Sequence, residues 1–190
     1  MRRTLAPYMT WAKLRTPPRY DLAGSNLLAC TLDDLPGAGL VDLNGANSEG
    51  WVPLVEAIAS RYGVAPEQVA TGAGCSGANF LAFAALVEPG DEVVVERPAY
   101  DPLLGALELL GARVVRFERT REDRWAVDPD RIRRVLSPRT RLVVLTSPHN
   151  PTGVLIPGDI LDRIANDAAA VGARGAQGAR RCRCRGRASR

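Results

Sequence analysis

The sequence predicts an α/β protein of three layers, a mostly parallel sheet with helices on both faces. Two observations carry this. From residue 50 onward, short and continuously apolar segments alternate with segments of helical periodicity. The apolar segments are rich in Val and are not polar at alternate positions, the pattern of strands buried on both sides.

The elements follow in order. In GWVPLVEAIASRYG (50–63), Leu54, Val55, Ile58, Ala59 and Tyr62 fall at helical spacing, and Gly63 is a C-terminal stop. SGANFLAFAALV (76–87) is a second helix, ended by the turn residues Pro89 and Gly90. EVVVE (92–96) is a short buried strand. DPLLGALELLGA makes a third helix, with Pro102 in its first turn and Gly111 just past its end. RVVRF (113–117) is the next strand, DPDRIRRVLS a further helix and RLVVLTS (141–147) a third strand. Residues 1–49 are irregular, with RTPPRYDLAG reading as an extended arm.

Composition narrows the function classes. With 46% apolar residues, the 190-residue chain is long enough to bury a core, and it has no apolar run of the length a membrane span needs. No apolar segment follows the basic N-terminus in the manner of a secretion signal, so a cytoplasmic location is expected. The net charge of +4 is uneven: the seven Arg after Asp167 leave 18 basic residues against 21 acids in residues 1–167. His149 is the single His, which excludes His-based triads and multi-His metal sites. Cys182 and Cys184 form a lone C-x-C without the second pair a zinc site needs, so no metal is expected.

Three loops at strand ends or helix starts are candidates to surround a ligand. TGAGCSGAN (71–79) opens a helix, and Gly72, Gly74 and Gly77 fit G-x-G-x-x-G spacing without the Lys of a Walker loop. Its free backbone amides suit an anion such as phosphate; glycines required only for close packing explain it equally. In ERPAYDP (96–102), Tyr100 follows a strand and a proline, placed either to stack on a planar ligand or as an ordinary half-buried aromatic. In SPHNPTG (147–153), Pro148 and Pro151 stiffen the backbone around Asn150, which is either a fixed amide donor or the head of an Asx turn.

Together, GAGCSGAN, PGDEVVVERPAY and SPHNPTG, in this order and spacing, resemble the class I/II aminotransferases, fold type I enzymes dependent on pyridoxal 5′-phosphate (PLP). The DLAGSN and GWVPLVEAIASRYGV segments extend the resemblance over roughly residues 8–172. It implies a truncated PLP-transferase large domain, with 1–49 as arm and substrate-loop segment, 50–172 as partial cofactor-binding domain and 173–190 as an Arg-rich aberrant or disordered tail. It also implies that Gly74, Cys75 and Ser76 hold the cofactor phosphate, Tyr100 stacks on the ring, Asn150 bonds the ring's phenolic oxygen, and Gly24 belongs to the loop closing over substrate. Amino-group transfer between an amino acid and a 2-oxo acid is the implied reaction, in a homodimer.

The sequence departs from the family pattern in three respects. No Tyr stands near Gly45 to reach a neighbouring subunit, and GARGAQGARRCRCRGRASR lacks the Asp, Tyr and apolar strand expected there. The only lysine, Lys13, is in the wrong region to form a Schiff base, so no catalytic residue is assigned and the chain is expected to be inactive. A non-catalytic PLP-binding remnant and a C–S lyase-type enzyme of the same fold are the alternatives. Nucleic-acid binding by the tail is the lesser reading, because its Arg residues have no interleaved aromatics.

Overall fold

The computed structural model describes residues 7–16, 19–20, 31–34, 37 and 51–178. The chain clusters into two compact units, Leu14–Thr71 and Gly72–Arg190 together with Met1–Lys13. This division follows the Pro66–Gln68 turn of 3₁₀ helix.

The larger unit is built on a four-stranded parallel sheet. Its strands are β1 (Glu92–Arg97), β2 (Arg113–Glu118), β3 (Thr140–Thr146) and β4 (Arg174–Gly178), in the spatial order β2-β1-β3-β4. Helix α3 (Gly74–Leu86) precedes β1, and α4 (Asp101–Leu109), α5 (Pro129–Val135) and α6 (Gly158–Ala170) occupy the three intervals between strands. Successive β1 side chains point to opposite faces, so each face acquires its own core. Val93 and Val95 join Leu142 and Val144 beneath Phe83 of α3 and Leu103 and Leu107 of α4. Val94 joins Val143 and Leu145 beneath Ile132 of α5 and Ile164 and Ala168 of α6. The three expected layers are present.

Two segments depart from the sequence reading. Helix α1 (Pro7–Leu14) lies in the stretch read as irregular. It is only eight residues long, below what propensity alone sustains, and tertiary contacts hold it. The Tyr8 amide donates to Asp101 Oδ2 at 2.8 Å, and the Tyr100 hydroxyl reaches Met9 Sδ at 3.4 Å. Strand β4 lies in the segment read as an aberrant or disordered tail with no apolar strand, and its backbone pairs with β3 from Leu142↔Arg174 to Thr146↔Gly178. Main-chain pairing along an open strand edge needs no apolar side chain, which is why composition gave no sign of it. Residues 179–190 lie outside the described residues.

In the smaller unit, α2 (Val52–Tyr62) runs as expected and stops at Gly63, which is left-handed with φ +64°. The 3₁₀ turn after it is tied by Gln68 Oε1, which accepts from the Ala65 amide at 3.0 Å. Among the described residues no helix is long and apolar enough to cross a membrane.

Leu107 is fully buried, whereas Leu109, two residues on, is 65% exposed. Leu107→Ala is expected to destabilise the chain by about 2–5 kcal/mol, and Leu109→Ala by no more than about 0.5 kcal/mol. Urea denaturation of both variants followed by circular dichroism checks the contrast.

Candidate functional site

Parallel pairing puts the C-terminal ends of β1 and β3 side by side. The loops that follow them, 97–101 and 147–153, each begin with a cis peptide bond, Arg97–Pro98 and Ser147–Pro148. Buried His149 joins the two. Its Nε2 lies 3.1 Å from the Pro98 carbonyl oxygen, which can only accept, so Nε2 carries the proton. Nδ1 is then the acceptor for the Thr152 hydroxyl at 2.7 Å. The backbone of the loop closes on itself through Gly153 N to His149 O (2.6 Å) and His149 N to Val154 O (2.8 Å), with Gly153 left-handed at φ +76°.

Beneath these loops lies a cluster of charges. Glu96 is fully buried at the end of β1, and Arg119, just past β2, is 1% exposed. Glu96 Oε2 accepts from Arg119 Nη1 at 2.8 Å and lies 3.8 Å from His149 Nε2. Glu96 Oε1 accepts both from the Thr146 amide at 2.7 Å and from its hydroxyl at 2.5 Å. Arg119 Nε donates to the Trp125 carbonyl at 2.7 Å. Burial lowers the pKa of His149 below its usual 6.5, and the Arg119 charge adds to the effect; Glu96 and the Pro98 carbonyl oppose it without reversing it.

The predicted site residues divide between elements. Tyr100 is half-buried at the N-cap of α4, its hydroxyl on Met9. Asn150 is exposed; its backbone amide donates to Thr146 Oγ1 at 3.1 Å, and its side-chain amide has no partner among the described residues. Gly74, Cys75 and Ser76 form the first turn of α3, where the N-cap Ala73 supplies no side-chain cap. The amides of such a turn have no intrahelical acceptor and suit an anion. The amides of this turn suit a phosphate, and the unpartnered Asn150 side-chain amide suits an oxygen acceptor. Among the described residues no hydrogen bond connects the 71–76 loop to the other two loops. Gly24 lies outside the described residues.

The glycines of the first loop have different reasons. A Cβ on Gly72 would meet Ala78 Cα at 3.0 Å, so this position needs close packing. Gly74 adopts φ +68°, a left-handed conformation that costs other residues about 1–2 kcal/mol. Gly77 would meet only Ala73 Cβ at 3.7 Å, an ordinary contact. Close packing is thus the requirement at Gly72, and a left-handed backbone the requirement at Gly74.

Sequence reasoning did not single out Glu96, Arg119 or Thr146. A carboxylate terminating an apolar run, with an arginine just beyond the next strand, was the available signal.

The family model for aminotransferase class I and II matches residues 43–173. The aspartate/prephenate aminotransferase of Thermus thermophilus is 36% identical over 122 residues, 61% of this chain and 32% of that protein. Capreomycidine synthase of Streptomyces vinaceus is 45% identical over 121 residues, 61% of this chain and 31% of that protein. The chain therefore spans about a third of the length of these curated relatives. Among solved structures, the aspartate aminotransferase from Thermus thermophilus with maleate superposes with a TM-score of 0.67 at 33% identity, covering 70% of this chain and 36% of that one.

Two outcomes are expected from this geometry. Gly77→Ala should stabilise α3 by about 0.5–1 kcal/mol, and Gly72→Ala should destabilise the chain by about 1–3 kcal/mol, both read by urea denaturation. Because the folded-state pKa of His149 is depressed, its neutral form is worth stability that is present above pH 6.5 and is lost as pH falls from there through the folded value. Melting temperatures measured from pH 8 to pH 5 should fall on acidification, and less steeply in His149→Gln.

Proposed function

Because the chain belongs to the class I and II aminotransferase family, we propose that it holds the phosphate and ring of PLP for amino-group transfer between an amino acid and a 2-oxo acid. When bound, that cofactor supplies the electron sink for bond breaking at the amino acid's α-carbon. The first turn of α3, with Gly74, Cys75 and Ser76, is assigned the phosphate, through backbone amides and the Ser76 hydroxyl. Tyr100 is assigned the face of the ring and Asn150 its phenolic oxygen. Gly24 keeps its expected place in the substrate-closing segment.

The observation that supports this reading most directly is the link between loops 97–101 and 147–153. His149 bonds the Pro98 carbonyl, so Tyr100 and Asn150 stand at the same end of two adjacent strands. The assignment covers binding and orientation alone, since residues 43–173 contain no lysine to move a proton. A homodimer and a cytoplasmic location accompany the reading, and light scattering tests the first.

A second reading, a different PLP-dependent reaction at the same cofactor site, is favoured by the synthase name of the 45% identical relative. The C–S lyase type is one such reaction. The loops described here recognise the cofactor, and the choice of reaction rests with groups that contact the substrate.

Pyridoxine 5′-phosphate is the suitable probe, because it has the ring and phosphate but no aldehyde and so requires no lysine. Fluorescence titration should show it binding at least about tenfold more tightly than pyridoxine, with Tyr100→Ala and Asn150→Ala each weakening it about tenfold. Equal affinity for the two probes would sink the phosphate assignment, and unchanged affinity in both variants the ring assignment.

A further inference from the structure

We propose that the Glu96–Arg119 ion pair is a positioning device for Asn150, acting through the Thr146 hydroxyl. The inference rests on the cofactor reading above and adds residues that do not touch the cofactor. Glu96 Oε1 receives the Thr146 hydroxyl proton at 2.5 Å, which leaves the oxygen's lone pairs to accept the Asn150 amide at 3.1 Å. A hydroxyl placed between a carboxylate and an amide has its donor and acceptor directions fixed by its neighbours. The backbone at Asn150, the residue assigned to the ring, is thereby held through a single hydroxyl to a buried carboxylate.

The other oxygen of Glu96 faces Arg119 and His149, and His149 in turn holds the Pro98 carbonyl of the Tyr100 loop. One carboxylate thus serves both loops. Arg119 is itself oriented by the Trp125 carbonyl, in a turn where Arg124 and Trp125 have φ of +50° and +61°. Two consecutive non-glycine residues in left-handed conformation are costly and persist where surrounding structure enforces them.

Stability alone is a poor explanation for this arrangement. A buried ion pair is often matched or exceeded by apolar residues of similar size. Here the pair also leaves Arg119 Nη2 buried with no hydrogen-bond partner among the described residues. An arrangement selected for orientation accounts for both features.

Thr146→Val removes the hydroxyl with little change of shape, and Thr146→Ser restores it. Three measurements on the full chain test the device: pyridoxine 5′-phosphate affinity, inorganic phosphate affinity and hydrogen exchange of the Asn150 amide by NMR. Thr146→Val should weaken pyridoxine 5′-phosphate about tenfold, leave inorganic phosphate unchanged and speed Asn150 exchange about tenfold. Thr146→Ser should return all three to within about twofold of the parent. Adding Thr146→Val to Asn150→Ala should cost nothing further, and Glu96→Gln should reproduce the exchange effect.

Unchanged probe affinity and exchange in Thr146→Val would overturn the device while leaving the cofactor reading intact. So would independent addition of the Thr146 and Asn150 effects, or equal weakening of both ligands, which marks a general loss of structure. Failure of the parent chain to bind pyridoxine 5′-phosphate would overturn the cofactor reading, and with it the purpose given to the device.

Discussion

A strand buried on both faces can place a charge only at its ends, and there the charge must find partners. β1 is such a strand, with a glutamate at each end of its three valines. At the N-terminal end Glu92 Oε1 receives the hydroxyls of Ser137 and Thr140, each at 2.8 Å, and Arg113 stands 3.7 Å from Oε2. Burial pushes the pKa of Glu92 upward, but the two hydroxyls and the Arg113 and Arg139 charges together bring it below its usual 4.5. At the C-terminal end Glu96 draws in Arg119 from just past β2 and Thr146 from β3. The two carboxylates therefore tie the same three strands together at opposite edges of the apolar layers, and the second does so where the ligand loops begin.

The remaining features follow from that frame. Adjacent parallel strands deliver their outgoing loops to one side. With β1 and β3 paired, the loops containing Tyr100 and Asn150 leave together, and a single neutral imidazole bridges them. α4 begins just after its N-cap Tyr100, with Leu103 and Leu107 pinned beneath one face of the sheet, so the aromatic is fixed by the core behind it. α6 begins after a loop whose Ile156 amide donates to Ser147 Oγ at 3.1 Å, which closes the segment holding Asn150.

Much of this was legible in the sequence, for physical reasons that differ from element to element. The three valine-rich runs matched β1, β2 and β3 to within about a residue, because continuous β-branched segments have few other ways to be buried. Gly63 and Gly111 marked helix ends because both adopt left-handed φ. α1 and β4 were illegible because neither is specified by its own side-chain pattern: one is anchored by Asp101 and Tyr100 far along the chain, the other by backbone pairing. The Glu96–Arg119 pair was hidden for a third reason. The residues are 23 apart, and only the β1–β2 register, continued one step by the bond from Arg119 N to Arg97 O, brings them together.

α3 has a consequence of its own. From Gly74 to Leu86 it contains no acidic, basic or imidazole side chain. The field at its first turn arises from aligned peptide groups, which neither gain nor lose protons. The contribution of those peptide groups to the potential an anion would meet is the same in mildly acidic and mildly alkaline solution, and the one ionisable side chain of the helix is the Cys75 thiol. Any pH dependence of its capture would then come from the anion's own ionisation, from the Cys75 thiol or from charges elsewhere in the fold.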